Sequence, residues 1–318
     1  MKVFVSTHPF SKTSPLPMEL MEQRGIEVVT NTHGRKITTK ELAQDIGDAD
    51  VLIAGTEKIT EDVFKNAPNL KFISRVGIGL DGIDFELCRK YGVRVAYTPD
   101  APTTAVAELC VGLMIDLARK ITFTSTNLKS DDIWNRHMGM LLYGKKIGIF
   151  GMGRIGKTLV HLLSTFNVEF LVNDIEPDIA FGKLYRVDFV EKEYLLQNSD
   201  IVSINIPLKE DTIDFIGTSE LSKMQKHALL VNTARGGIVN EDALYGALKD
   251  GTISGAAVDV FEDEPYCGDL RELDNVVLTC HMGASTIESR TDMEVEAVKE
   301  VLRFFDGEPL KNEVFENA

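Results

Sequence analysis

The sequence predicts an α/β protein of two domains, each built on a parallel sheet with helices on both faces. Three observations lead there. The chain has 318 residues, more than one hydrophobic core ordinarily serves. Short β-rich runs alternate with segments of helical periodicity, as crossover helices joining parallel strands require. The alternation breaks once, at a proline-punctuated segment and a long helical stretch, and then restarts.

Taken in order, residues 2–7, 26–30, 51–55, 71–76 and 93–98 read as strands. Residues 39–46 and 61–66 carry helical spacing, and 84–91 form a helical segment after a turn. Tyr97-Thr98-Pro99-Asp100-Ala101-Pro102 suits a connector. One helix is expected over 103–128, with Val106, Leu109, Cys110, Leu113, Leu117 and Ile121 on one apolar stripe. A polar stretch at 129–136 follows and holds the single tryptophan, Trp134. Six further strands are expected at 146–150, 168–173, 200–207, 228–233, 255–260 and 276–280, the number in a doubly wound dinucleotide-binding sheet. The last amphipathic segment, 288–305, places Met293, Ala297, Val301 and Phe304 on one face. A helix there that returns to the first domain makes that domain discontinuous. The expected division is 1–99 with 288–318, and 100–287.

Composition narrows the function classes. Hydrophobic residues at 44% and charged residues at 26% are ordinary for a soluble globular protein. A net charge of -15 repels nucleic-acid phosphates and anionic membranes, so neither partner is expected. An anionic substrate then needs a local basic site. The opening run from Met1 to Thr7 reads as a strand, so no signal peptide is expected, and no segment has the length of a membrane span. Cys88, Cys110, Cys267 and Cys280 are scattered without a CxxC pair, which suggests a reduced, cytoplasmic protein. No two histidines have metal-ligand spacing, and no metal site is expected.

The sharpest motif is Gly151-Met152-Gly153-Arg154-Ile155-Gly156, between a strand and a helical pattern. A GxGxxG alone is weak, but here Asp174 closes the next strand at roughly the 20-residue offset of a dinucleotide fingerprint. Gly151 permits the tight turn, Gly153 lets backbone approach a pyrophosphate, and Gly156 lets helix pack on sheet. The helix N-terminus offers N–H groups and a positive dipole end. Asp174 accepts from ribose hydroxyls and repels a 2′-phosphate, which favours NAD over NADP.

In open α/β sheets ligands bind beyond the carboxyl ends of strands. Arg235 and His281 follow strands there, and Glu264 lies in an acidic loop shortly after another. Arginine grips a carboxylate as a fork and polarises a keto oxygen. Histidine exchanges a proton with that oxygen. A carboxylate bonded to imidazole favours its charged form. Each residue taken singly also has a plainer reading: a capping histidine, a surface arginine, a solvated acid.

The blocks Asn232-Thr233-Ala234-Arg235-Gly236-Gly237, Ala257-Val258-Asp259-Val260-Phe261 with Glu264-Pro265, and His281-Met282-Gly283-Ala284-Ser285-Thr286 resemble the signatures of D-isomer-specific 2-hydroxyacid dehydrogenases. The resemblance covers essentially the whole chain. It implies a Rossmann domain inserted into a smaller flavodoxin-like substrate domain, NAD as cofactor, an active site in the cleft between domains, and a homodimer. It also implies a catalytic triad of Arg235, Glu264 and His281. Cofactor contacts carry over to Arg154 and Ile155 at the pyrophosphate, Asp174 at the ribose, and Thr233, Ala234 and Asp259 near the nicotinamide; Thr98, Ile206 and Gly283 match further contacts. Formate dehydrogenases of the wider superfamily have glutamine where Glu264 stands, so that activity is disfavoured.

For the substrate, Arg75-Val76-Gly77 opens a glycine-rich turn whose N–H groups are expected to line an anion pocket. An arginine at this point resembles the phosphoglycerate dehydrogenase branch, so Arg75 is expected to be partly exposed and to hold a substrate phosphate. An ion pair between Arg75 and Asp81 is the alternative. The segment 131–136 resembles that branch's dimer arm, with Arg136 pointing to the partner's site. The expected substrate pair is 3-phosphoglycerate and 3-phosphohydroxypyruvate, with glyoxylate or hydroxypyruvate reduction next. An NAD(H)-sensing corepressor is the rival of another class.

Overall fold

The computed structural model describes residues 1–130 and 134–314. The chain divides into two compact units, Met1–Pro102 with the chain from Ser285 onward, and Thr103–Ala284.

The first unit runs β1 (Lys2–Val5), α1 (Leu16–Glu22), β2 (Glu27–Thr30), α2 (Thr39–Asp45), β3 (Val51–Ala54), α3 (Glu61–Asn66), β4 (Phe72–Arg75), α4 (Phe85–Tyr91) and β5 (Arg94–Tyr97). Its five strands are parallel in the order β2-β1-β3-β4-β5, the flavodoxin-like arrangement. β3 and β4 are buried along their whole length; β3 is apolar throughout, while β4 ends in the buried Arg75. Local chemistry sets the helix ends. Thr38 and Glu41 form a reciprocal capping box on α2. Asp84 caps α4, and Gly92 ends it in the left-handed region. α1 was not expected from periodicity; it has seven residues and starts on a proline-rich turn.

The second unit opens with α5 (Thr103–Arg119) and α6 (Ile121–Ser130). The single helix expected over 103–128 is thus two, broken at Lys120, whose φ is 53°. The break is capped: the Asp116 carboxylate accepts from the Thr122 N–H at 2.7 Å and from its hydroxyl. The expected stripe ends with it, since Ile121 is exposed while Val106, Cys110, Leu113, Met114 and Ala118 are buried. Then follow β6 (Lys146–Phe150), α7 (Arg154–Leu163), β7 (Glu169–Asn173), α8 (Ile179–Tyr185), β8 (Val187–Phe189), α9 (Lys192–Asn198), β9 (Ile201–Ile204), α10 (Thr218–Lys223), β10 (Leu229–Asn232), α11 (Glu241–Lys249), β11 (Gly255–Val258) and β12 (Val276–Leu278).

The sheet has seven strands, not six, in the order β12-β11-β10-β9-β6-β7-β8, all parallel. The missed strand is β8, three residues at an edge, too short for any period to register. Two apolar layers cover the sheet, one around Phe150, Ile204 and Leu230, the other around Ile147, Val231 and Ala257 beneath α5 and α7. The strand order reverses between β6 and β9, the switch point at which such sheets bind ligands.

The chain then returns to the first unit as α12 (Ile287–Asp306), capped by Thr286 and ended by Gly307. α12 lies on the first sheet: Ser74 Oγ donates to the Ala297 carbonyl at 2.9 Å, and Phe72 stacks on Phe304 with centroids 4.9 Å apart.

Candidate active site

At the switch point, the turn after β6 places each glycine differently. Gly151 has φ 91°, and a Cβ there would stand 2.6 Å from the Asn205 carbonyl oxygen after β9. A Cβ on Gly156 would stand 2.1 Å from the Gly151 oxygen, so the helix sits on the turn with no room for a side chain. Gly153, the N-cap of α7, has nothing within 4 Å of its missing Cβ and faces open space. The first turn of α7, from Arg154 through Ile155 to Gly156, presents N–H groups with no carbonyl inside the helix. Beside it the Asn205 Oδ1 is buried with no partner among the described residues. Two closed glycines, one open one, a presented helix end and an orphaned acceptor fit a dinucleotide pyrophosphate and its attached rings.

Asp174 follows β7 and is half-buried. Its carboxylate accepts from the N–H of Met152 and, at 2.7 Å, of Glu176. The acid is therefore tied to the glycine turn itself. Ile206 flanks the other side of the turn, with its Cγ2 3.0 Å from the missing Gly151 Cβ.

Three adjacent strands, β10, β11 and β12, end in the turns that carry Arg235, Glu264 and His281. The His281 Nδ1 lies 3.0 and 2.9 Å from the two Glu264 oxygens. Glu264 Oε1 also accepts from the Phe261 N–H at 3.2 Å, which holds the acid in place. The His281 Nε2 makes no bond among the described residues, and the side chain is 41% exposed. His281 has φ 50°, an uncommon conformation for a residue with a side chain.

Arg235 is half-buried, and its Nη1 donates to the Ala234 carbonyl at 2.6 Å. Asn232 shapes this turn from both ends, accepting from the Ala234 N–H at 3.1 Å and donating to the Arg235 carbonyl at 3.0 Å. A Cβ on Gly236 would stand 2.0 Å from the Phe261 carbonyl carbon. Glycine there brings the Arg235 turn against the loop that carries Glu264. Thr233 is buried, with its hydroxyl 2.9 Å from Cys110 Sγ; burial pushes that thiol up to about 11, so it stays protonated.

Asp259 is 1% exposed, and its carboxylate accepts from Thr279 Oγ1 at 2.6 Å, Met282 N at 2.8 Å and Gly283 N at 2.9 Å. Its carbonyl accepts from His281 N at 2.7 Å. The sequence alone does not single out Asn232 or Thr279: the first lies at the start of the Asn232–Gly237 block, and nothing in the local pattern marks the second.

The turn after β4 in the first unit departs from expectation in two ways. Arg75 is 8% exposed rather than partly open, and its Nη1 donates to the Val76 carbonyl next to it. The Val76 N–H donates to the Ala54 carbonyl at 2.9 Å, and the Gly77 N–H to Thr98 Oγ1 at 2.7 Å. The first two donors expected to line an anion pocket are therefore spent inside the unit. Thr98, fully buried, serves that turn. Of the expected dimer-arm segment, residues 131–133 lie outside the described residues, while Trp134 is exposed.

Residues 111–283 match the family model for the NAD binding domain of D-isomer specific 2-hydroxyacid dehydrogenases. The chain belongs to this family. A glyoxylate reductase of Thermofilum pendens is 41% identical over 279 residues, covering 85% of this chain and 82% of that one. A D-3-phosphoglycerate dehydrogenase of Methanocaldococcus jannaschii is 39% identical over 315 residues, covering 95% of this chain but only 58% of the longer relative. Among solved structures, a Thermus thermophilus protein superposes with a TM-score of 0.90 at 29% identity, covering 99% of this chain and all of that one. A D-lactate dehydrogenase of Aquifex aeolicus complexed with NAD and lactic acid gives 0.87 at 25% identity, with both chains covered completely. The family's members are NAD-dependent oxidoreductases, and the matched domain is its NAD-binding domain. Among the described residues, no helix is long and apolar enough to cross a membrane.

Proposed function

We propose that the protein interconverts a small D-2-hydroxy acid and its 2-keto acid with NAD(H). The observation that carries this reading is the His281–Glu264 pair, with imidazole Nδ1 held by a carboxylate and Nε2 left open. The chemistry NAD(H) supplies when bound is hydride transfer at the carbon that bears the oxygen. His281 gives the proton to the keto oxygen during reduction and takes it from the hydroxyl during oxidation. Glu264 fixes the ring and favours its charged form. Arg235 grips the substrate carboxylate and polarises the oxygen. The Gly151–Gly156 turn would hold the dinucleotide, with Asp174 on the adenosine ribose and Thr233, Ala234, Ile206, Asp259 and Gly283 around the nicotinamide end.

For the substrate, 3-phosphoglycerate and 3-phosphohydroxypyruvate remain the pair we propose first, on Arg75 beside the glycine turn and the phosphoglycerate dehydrogenase relative aligned over 315 residues. A second reading, glyoxylate or hydroxypyruvate, draws on the burial of Arg75 against its own turn. A glyoxylate reductase and a hydroxypyruvate reductase are among the relatives. The deciding experiment is a panel of keto acids with NADH. Turnover fastest on 3-phosphohydroxypyruvate keeps the first pair, and preference for an unphosphorylated acid installs the second. NADH binding without turnover on any of them removes the enzymatic reading.

We propose a homodimer as well. Between residues 121 and 143, Ile121, Trp134, Met138, Leu141 and Tyr143 are all more than half exposed, a density of apolar surface that suits a second copy. Free cysteines throughout the described residues support a reducing, cytoplasmic setting.

A further inference from the structure

We propose that Thr279 is a positioning residue for His281, acting through the buried carboxylate of Asp259. β11 and β12 pair in parallel up to Val258 and Leu278. The ladder continues one step, with the Thr279 N–H donating to the Val258 carbonyl at 3.0 Å. Thr279 and Asp259 are therefore the next register pair, on the face whose preceding residues, Ala257 and Val277, join the apolar layer under α5. On β11 and β12, polar side chains first appear on this face where the strands end.

Asp259 gathers the whole turn. Its side chain accepts from Thr279, Met282 and Gly283, and its backbone carbonyl accepts from His281. Of those donors only the Thr279 hydroxyl belongs to a side chain, and its 2.6 Å contact is the shortest of the three to the carboxylate. Oδ1 takes Thr279 and Met282 together, so the hydroxyl fixes the rotation that points Oδ2 at Gly283. Space around the carboxylate is tight: a Cβ on Gly283 would stand 3.3 Å from Oδ2 and 3.2 Å from the Val106 side chain. His281 sits between the two anchored ends in a left-handed conformation that an L-residue adopts only when its surroundings hold it there. Removing the hydroxyl leaves the carboxylate held by the Met282 and Gly283 N–H groups alone, and the His281 backbone then loses part of its frame.

The inference rests on His281 as the proton-transferring group, so the experiment carries His281→Ala beside the Thr279 variants. Thr279→Val replaces the hydroxyl by a methyl of like size, and Thr279→Ser keeps the donor. The expected result for Thr279→Val is a kcat reduced about tenfold or more, as misplacement of a reacting group produces. The KM for the keto acid should stay within about twofold, and the NADH dissociation constant by fluorescence titration should rise by much less than kcat falls, since the loss is mainly in the reacting geometry. Thr279→Ser should recover most of the lost turnover. Thermal melting checks folding, and if Thr279→Val does not fold, Thr279→Ala carries the same comparison without a methyl against the carboxylate. Wild-type kcat in the Val or Ala variant overturns the proposal while His281→Ala is inactive. NADH binding weakened as much as kcat overturns it too, and assigns Thr279 to the cofactor pocket. Full activity in His281→Ala removes instead the reading on which the inference stands.

Discussion

Two turns in this chain join a parallel strand to a helix through glycine-rich sequence, and the fold uses them differently. After β6, the turn from Gly151 to Gly156 closes on itself at two glycines and leaves the third, Gly153, facing open space. It leads into a helix of ten residues. After β4, the turn beginning Arg75-Val76-Gly77 donates two successive N–H groups to Ala54 and Thr98 and folds its arginine over its own carbonyl. The helix that follows has seven residues, and its N-terminus is already capped by Asp84. An anion site needs donors that the fold has not consumed. Both turns spend their leading pair, in the first Gly151 on the Asn173 carbonyl and Met152 on Asp174. But the first runs on through Gly153 into a helix end with no side-chain cap while the second ends at a capped one, a difference that glycine content cannot report.

The largest effect expected lies on the side of the molecule where the first turn belongs. His281→Ala should lower kcat by about 10²–10⁴-fold, the range for a lost general acid–base, with NADH binding nearly unchanged. Stopped-flow or steady-state kinetics with a fluorescence titration checks both. Near-normal turnover would detach the cofactor turn from the proposed chemistry.

Two glycine variants then test the turn itself. Gly156→Ala puts a Cβ 2.1 Å from a backbone oxygen, and should destabilise the fold by about 3 kcal/mol, the upper range for overpacking. Gly153→Ala meets no protein atom, so its melting temperature should stay near wild type while NADH binding weakens. Equal melting temperatures for the two would mean that the turn is looser than its contacts imply.

Asp174→Ala comes next. Loss of a charged acceptor on a ribose hydroxyl should weaken NADH binding about tenfold, the equivalent of one charge-assisted hydrogen bond. The gap to NADPH should narrow in the same titration. Wild-type enzyme that already binds both equally would contradict the role proposed for this acid.

The smallest effect is expected at the other turn. Arg75→Ala should raise the KM for 3-phosphohydroxypyruvate by up to about tenfold, provided the guanidinium exchanges its Val76 carbonyl for phosphate, and barely move that for hydroxypyruvate. Equal losses on both acids would make Arg75 a brace for its own turn, and would favour the unphosphorylated substrate.

Much of this was legible in the chain because it rests on local rules. Strand-to-helix alternation depends on neighbours a few residues apart, and the GxGxxG turn with Asp174 on one fixed offset along the chain. The order of the blocks around Arg235, Glu264 and His281 was enough to suggest the family. The three-residue β8 and the cap that splits the helix at Lys120 escaped, the first because three residues are too few for an alternation to register and the second because Asp116 reaches across the break.

What tertiary structure alone decided is the fate of each polar group. Whether the Gly77 N–H is available depends on Thr98, just past β5, and whether His281 is held depends on Asp259, just past β11. Strand order fixes those partnerships, since parallel neighbours are distant in sequence. Residue types in a pattern therefore identified the chemistry, while the pairing of strands determined which donors and acceptors remain to perform it.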